Sequence, residues 1–167
     1  MTHNPRQEST PAARISEDSY RKAFNTALRL LARREHSKFE LAQKLSQRDF
    51  DSAVIEKVFL ECERLNYLND DRTARVFIEQ LTRRGYGAKR ILAELKRKGI
   101  SGGHIAGLLN EIVSDDSERE NAERVLIKNI NRFDREVDGQ KRKAKIYRFL
   151  FARGFSNEII VEIMKKH

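Results

Sequence analysis

Apolar residues along this chain follow one pattern that occurs three times. A shift of 50 residues aligns the first copy with the second and places Leu45 on Leu95. A further shift of 55 residues places Leu95 on Leu150 and Gly99 on Gly154. Self-similarity of this kind marks a repeat architecture, in which each unit is expected to bury its apolar face against its neighbours. The sequence therefore predicts a tandem array.

Each copy is predicted to contain three helices. Apolar residues recur at helical spacing without clear alternation, and both prolines, Pro5 and Pro11, precede the patterned region. The predicted fold is all-α, with three tandem three-helix repeats in an elongated, curved array. The repeats are placed at residues 17–68, 69–113 and 114–167. Residues 1–16 are predicted to form a disordered tail, because their polar composition cannot bury enough apolar surface.

Local signals predict several helix ends. Two S-x-x-E spacings are typical of capping boxes, in which Ser and Glu side chains each bond the other's backbone N–H. Asn69 and Ser101 are also predicted to open helices. The residues of the two capping boxes are Ser37 with Glu40, and Ser117 with Glu120. Gly85 and Gly99 lie where a left-handed C-terminal cap is usual.

Charge and composition indicate the class of partner. The 167 residues include 34 Lys or Arg and 25 Asp or Glu, a net charge of +9, which favours a polyanion or an acidic protein surface. The single Cys62 excludes an internal disulfide and fits a reducing compartment. No apolar run reaches the length of a membrane span, and no signal peptide is evident. We expect a cytoplasmic protein without membrane attachment.

Motifs for catalysis are missing, so no enzymatic activity, cofactor or metal is predicted. The sequence has neither a phosphate-binding G-x-x-x-x-G-K-[ST] loop nor an H-E-x-x-H pair, and its four histidines lack metal-ligand spacing. Cys62 falls on an inward apolar stripe, where Ile112 replaces it in the second copy. Tyr86, between Gly85 and Gly87, could plug a helix-to-helix turn or stack on a base or in a protein pocket.

Basic residues form a candidate ridge on the middle helices. In the second copy the buried side is predicted to consist of Ile91, Leu92 and Leu95, and the opposite arc carries Lys89, Arg90, Lys96 and Arg97. The corresponding helix of the third copy carries Lys141, Arg142, Lys145 and Arg148, and residues 141 to 153 contain no acid. Arg83 and Arg84 are added because they precede a helix end, although the helix dipole accounts for one of them. An ordinary solvated helix face is the alternative interpretation. Few aromatics are expected to be exposed, which argues against a platform for single strands.

Several motifs resemble those of a known family. The central block reads LNYLNDDR at 65–72, RGYG at 84–87 and KGIS at 98–101. A first block reads REHS at 34–37, and a last block reads RFL at 148–150 with RGF at 153–155. In order and spacing, from about residue 20 to residue 165, these blocks resemble RecX, the bacterial family of regulators of the RecA recombinase.

The resemblance implies a function that the residues alone do not name. RecX proteins consist of three three-helix units, lie in the groove of the RecA–DNA filament, and inhibit its ATP hydrolysis, strand exchange and co-protease activity. They bind single- and double-stranded DNA weakly and without sequence specificity. The ten basic residues above are the predicted contacts with the filament, and a monomer is expected. The main alternative is a basic DNA-binding protein for which RecA contact is secondary, and an inert scaffold comes third.

Overall fold

The structure is a computed structural model that describes residues 16–166, and over that range it is helical without any strand. The helices are α1 (Glu17–Leu31), α2 (Lys38–Ser46), α3 (Ser52–Arg64), α4 (Asp70–Arg83), α5 (Ala88–Arg97), α6 (Gly103–Ile112), α7 (Asp115–Asn129), α8 (Gly139–Ala152) and α9 (Asn157–Lys166). A 3₁₀ turn, Ile130–Arg132, follows α7. Helices α1–α3, α4–α6 and α7–α9 form modules one, two and three. The all-α fold of three three-helix repeats is confirmed, whereas the predicted tail up to residue 15 lies outside the described residues.

Each module closes its own apolar core. The buried apolar residues fall into three clusters, one within each set of three helices. Leu45, Leu95 and Leu150 occupy equivalent positions in the three clusters and are fully buried. The close packing between helices likewise lies within modules. The expectation that each unit buries its apolar face against its neighbours is therefore wrong, because three amphipathic helices suffice to cover one another's apolar sides.

The buried faces are narrower than the apolar pattern indicates. In α5, Ile91 and Leu95 are fully buried, but Leu92 is 37% exposed, so its predicted inward position is wrong. A helix of three turns contacts α4 and α6 along one line, and Leu92 lies beside that line. In α1 the fully buried residues are Ala23 and Ala27. The larger side chains of the predicted face, such as Tyr20, lie at its partly buried margin.

The helix ends show which of the predicted capping signals determine where helices start and stop. Ser37 and Glu40 form the predicted capping box, and Asn69 accepts a hydrogen bond from the Arg72 N–H at 3.0 Å. Gly85 has a φ of +81°, as expected for a left-handed C-terminal residue. These three predictions are confirmed.

Two predicted helix starts are wrong. The cap of α7 is Ser114, whose hydroxyl accepts from the Ser117 N–H at 3.2 Å, so Ser117 lies inside the helix. The earlier start places Asp115 and Asp116 in the first turn, where the helix dipole favours acids. Helix α6 begins at Gly103 instead of Ser101, because Gly102 precedes it with a φ of +135°, a conformation that other residues rarely adopt.

The modules meet at two junctions built from polar contacts at helix ends. At the first, the Ser37 hydroxyl donates to the Lys98 carbonyl at 2.6 Å, and the Lys38 N–H donates to Asp70 Oδ1 at 2.8 Å. At the second, the Gly87 N–H donates to the Arg153 carbonyl at 2.9 Å. The Ala88 N–H donates to a carboxylate, Glu118 Oε1, at 2.8 Å. Both junctions thus join the start of one middle helix to the end of the next module's middle helix.

Buried polar side chains are confined to these junctions in the described part of the chain. Thr73 Oγ1 donates to the His36 carbonyl at 3.3 Å, and Asn121 Nδ2 donates to the Tyr86 carbonyl at 3.1 Å, in equivalent positions. The buried polar residues of the described range are His36, Ser37, Thr73, Glu118 and Asn121. Because a buried polar group without a partner is costly, these repeated bonds fix how consecutive modules meet.

The junctions set the middle helices end to end. The carboxyl end of α8 abuts the start of α5, and the carboxyl end of α5 abuts the start of α2, which gives a row of three helices about 50 Å in summed length. Gly154 at the second junction has a φ of +86°, and a Cβ there would collide with the backbone N of Arg90. Only glycine therefore permits this close approach. The row places α5 and α8, which carry the predicted basic ridge, next to each other.

Candidate polyanion-binding surface

The predicted cations lie on the outside of the molecule. Of the ten, all are exposed except Arg142, which is half-buried. Eight of them lie on α5 and α8, on consecutive sections of the row, and the other two, Arg83 and Arg84, lie at the end of α4. Their exposure is necessary for binding a partner but does not by itself give a positive surface, because neighbouring acids decide how much charge remains.

Acids on the same helices compensate part of the predicted ridge. Glu94 on α5 binds both Arg90 and Arg97, with N–O distances of 3.0 Å to each, and its side chain is only 15% exposed. Arg83 pairs with Glu79 at 3.2 Å. In sequence Glu94 lies three or four residues from both arginines, which is the spacing at which helical side chains meet. Arg90 and Arg97 consequently contribute less positive charge than the sequence indicated.

Acids in the segment before α8 pair with a second group of the predicted cations. Asp134 binds Arg142 at 2.7 Å, Glu136 binds Lys145 at 2.6 Å, and Asp138 lies 3.8 Å from Lys141. Asp138 also caps α8 by accepting from the backbone N–H groups of residues 140 and 141. The hydrogen bond from Lys145 lowers the pKa of Glu136, which keeps that carboxylate charged. Residues 141 to 153 contain no acid, which indicated a positive helix face. Acids from the preceding loop nevertheless pair with the basic side chains near the start of α8.

Four of the predicted cations have no ion pair among the described residues: Arg84, Lys89, Lys96 and Arg148. We call these the uncompensated cations. Lys89 and Lys96 stand on α5, and Arg148 stands on α8 with its Nε donating to the Ala144 carbonyl at 3.2 Å. Of the broad ridge predicted from the sequence, only these four exposed side chains therefore keep an unpaired positive charge among the described residues.

Arg153 is a junction residue that the charge pattern did not single out. One of its guanidinium nitrogens, Nη1, donates to the carbonyls of Arg84 and Gly85, at 3.3 Å each, across the second junction. The guanidinium also lies 4.8 Å from the centre of the Phe149 ring and 6.0 Å from that of Tyr86. Tyr86 itself packs against the core of module two, as a plug of the turn would. The RGF motif at 153–155 was the available signal, but it does not show what the arginine contacts.

Cys62 belongs to the core of module one, where it is fully buried. Burial raises the pKa of its thiol from 9.0 to about 11, with smaller contributions from the charges of Glu61 and Glu63. Since the thiolate is the reactive form, the folded protein should hold this side chain as an unreactive thiol near neutral pH.

We predict that iodoacetamide modifies Cys62 in the folded protein at least about 100-fold more slowly than in urea at pH 8, because burial blocks access and lowers the thiolate fraction. The raised pKa means that the protonated thiol predominates up to a pH of about 11. Mass spectrometry of alkylated protein over time measures both rates. Equal rates in buffer and in urea would contradict the burial of this residue.

Two further observations concern the kind of site the surface can be. Across residues 16–166, no three His, Cys, Asp or Glu side chains lie together in a way that could hold a metal ion. Among the helices of that same range, none combines the length and the apolar character needed to cross a bilayer. The structure instead presents a charged surface on α5 and α8, which are neighbours in the row of middle helices.

Comparison with known proteins gives a consistent family. Models of the first, second and third three-helix domains of RecX match residues 23–62, 69–109 and 116–164. The regulatory protein RecX of Legionella pneumophila is 37% identical over 145 residues, which cover 87% of this chain and 94% of that protein. That of Serratia proteamaculans is 34% identical over 164 residues, covering 85% and 95%.

Solved structures agree in fold. The crystal structure of RecX from Lactobacillus salivarius superposes with a TM-score of 0.78 at 25% identity, covering 89% of this chain and 96% of that one. A second crystal structure, of a regulatory protein RecX, gives a TM-score of 0.82 at 19% identity over 99% of this chain and 82% of the other. At that identity the second likeness bears on the fold alone.

Proposed function

Because this chain belongs to the RecX family of regulatory proteins, we propose that it is a non-enzymatic regulator that binds the RecA–DNA filament. It lies along the filament's groove and inhibits ATP hydrolysis, strand exchange and co-protease activity by RecA, and in this way it modulates recombination, DNA repair and the SOS response. It acts in the cytoplasm as a monomer. The observation that carries the proposal is the match of three family models to the three modules in order.

The described surface supports docking along a polyanionic partner. The middle helices, about 50 Å in summed length, follow one another end to end, and α5 and α8 expose basic side chains in adjacent modules. The net charge of +9 favours association with DNA or an acidic recombinase surface at long range. We propose that the uncompensated cations make the main contacts. The compensated ones, such as Arg90 and Lys145, contribute where the partner displaces their acids.

DNA binding without RecA is the second candidate function, and the positive surface supports it as well. Binding of this kind is sequence-independent, and its affinity falls with salt by a slope near −0.9 per phosphate contacted. The start of α5 is not available as a further anion site, since the N–H groups of Gly87, Ala88 and Lys89 already bond to module three. Only side chains remain for phosphate contact there, so we expect DNA alone to be bound more weakly than the filament.

Co-sedimentation separates the two candidates. In one sample the protein is mixed with RecA on single-stranded DNA and a non-hydrolysable nucleotide, and in the other it is mixed with DNA alone. The RecA ATPase rate is measured in separate reactions that contain ATP. We expect the protein to pellet with the filament at concentrations where DNA alone does not retain it, and to lower the ATPase rate. Equal retention by DNA with and without RecA, at an unchanged ATPase rate, would favour the DNA-binding candidate.

A further inference from the structure

Helix α8 exposes a pair of stacked aromatic rings, although the sequence led us to expect few exposed aromatics and no platform for single strands. The rings of Tyr147 and Phe151 lie 5.8 Å apart between centres with an angle of 14° between their planes. Tyr147 is half-buried against the core of module three, and its hydroxyl donates to Asn157 Oδ1 at 3.0 Å. Phe151 packs outside it and is 54% exposed. A fixed inner ring therefore supports an outer ring that presents aromatic surface to solvent.

Positive charge flanks this aromatic pair. Lys143 precedes Tyr147 by four residues, and Phe151 follows it by four, so that the three share one side of α8. Arg148 stands next to that side. Neither Lys143 nor Arg148 has an ion pair within the described residues, in contrast to Lys141, Arg142 and Lys145 on the same helix. Aromatic surface and uncompensated charge coincide at this part of α8.

The repeat places a related strip on α5. The shift of 55 residues that aligns Leu95 with Leu150 also aligns Leu92 with Tyr147. Leu92 is the large apolar residue that α5 exposes, and Lys89 and Lys96 lie three residues before it and four residues after it. On α5 and α8, the neighbouring helices of the row, exposed apolar surface is therefore bordered by cations that form no close ion pair among the described residues.

We propose that Tyr147 and Phe151 are a stacking site for the bases of single-stranded nucleic acid, with Lys143 and Arg148 contacting its phosphates. Aromatic rings beside unpaired cations suit a ligand that joins flat apolar faces to a charged backbone. A duplex offers the charge but keeps its bases stacked inside, and an acidic peptide offers the charge without flat faces. This site rests on the proposed function only in lying on the same surface, and it does not require RecA.

The test compares two strands of equal length and charge, a labelled oligothymidylate and a backbone that lacks bases. Phe151→Ala should weaken oligothymidylate binding about tenfold and leave binding of the baseless strand unchanged, because one stacked base is lost and no charge is lost. Leu60→Ala is the matched control, since Leu60 is 67% exposed on α3 in module one. It should leave binding of both strands unchanged.

A second variant keeps the test decisive if Phe151→Ala reduces folding. The chain contains no Trp, so Phe151→Trp introduces a single indole. Its fluorescence should be quenched by oligothymidylate and unaffected by the baseless strand, because stacking requires a base. Unchanged oligothymidylate affinity in Phe151→Ala, or equal quenching by both strands, would overturn the site.

If Phe151→Ala loses RecA-filament binding but keeps oligothymidylate binding, the strip is a protein-docking surface. That result would overturn base stacking and leave the proposed function standing.

Discussion

Replacing Lys89, Lys96 and Arg148 together by glutamate is expected to weaken binding to the RecA–DNA filament by a factor on the order of 10² to 10³ at 0.1 M salt. The three contacts, if made to phosphates, supply about 2.7 powers of ten in affinity between 1 M and 0.1 M salt, since each contributes a slope near 0.9. Filament co-sedimentation over a salt series measures both the affinity and its slope. The slope should fall by about one for each cation lost to a phosphate contact.

These three residues are chosen because they form no close ion pair among residues 16–166. Reversing Arg90 and Arg97 instead should cost less, because Glu94 already compensates both. Contacts with acidic protein residues would mainly slow association instead of changing the slope. A matched control on module one reverses exposed basic residues that also lack ion pairs in the described range: Arg29, Arg33 and Arg48. A folded triple variant that inhibits RecA at wild-type concentrations would contradict the assignment of α5 and α8 as the docking surface.

Leu95→Ala should lower the free energy of unfolding by about 2–5 kcal/mol, the range for truncating a buried leucine. Leu95 is fully buried in the core of module two, and Leu45 and Leu150 occupy the equivalent positions of the other cores. Urea denaturation followed by circular dichroism measures the change, with a constant dependence on urea as the sign of two-state unfolding.

Leu92→Ala on the same helix is the matched control. The substitution is identical, but Leu92 is partly exposed and should change the free energy of unfolding by only about 0.5 kcal/mol. Comparable losses for the two variants would show that α5 faces a different way. An unchanged stability of Leu95→Ala would likewise contradict the core of module two.

Much of the fold could be predicted because the spacing of apolar residues determines which side of each helix is buried. Buried leucines at equivalent positions and glycines at helix ends fixed the three-helix repeat and most helix positions. Helix starts were less certain where signals competed, as with Ser114 and Ser117, which are both able to cap a helix. The exposure of Leu92 could not be predicted, because it depends on the direction from which α4 and α6 approach.

The candidate surface was harder to predict because net charge depends on contacts between segments. Residue positions on a helix identified the cations, but the loop acids that bind Arg142 and Lys145 come from eight and nine residues earlier, outside the helical pattern. The junctions were likewise hidden. Glu118 and Asn121 read as ordinary polar residues of a charged helix, and only the meeting of two modules buries them.

The end-to-end row of middle helices gives the molecule a direction. Each helix carries a dipole that is positive at its amino end, and in the row the negative end of α8 meets the positive end of α5, as α5 meets α2. The dipoles therefore follow one another head to tail, from the start of α8 to the end of α2. A partner with its own polarity along its length distinguishes the two orientations of such a row, so the order of modules in the chain becomes an orientation on the surface to which it binds.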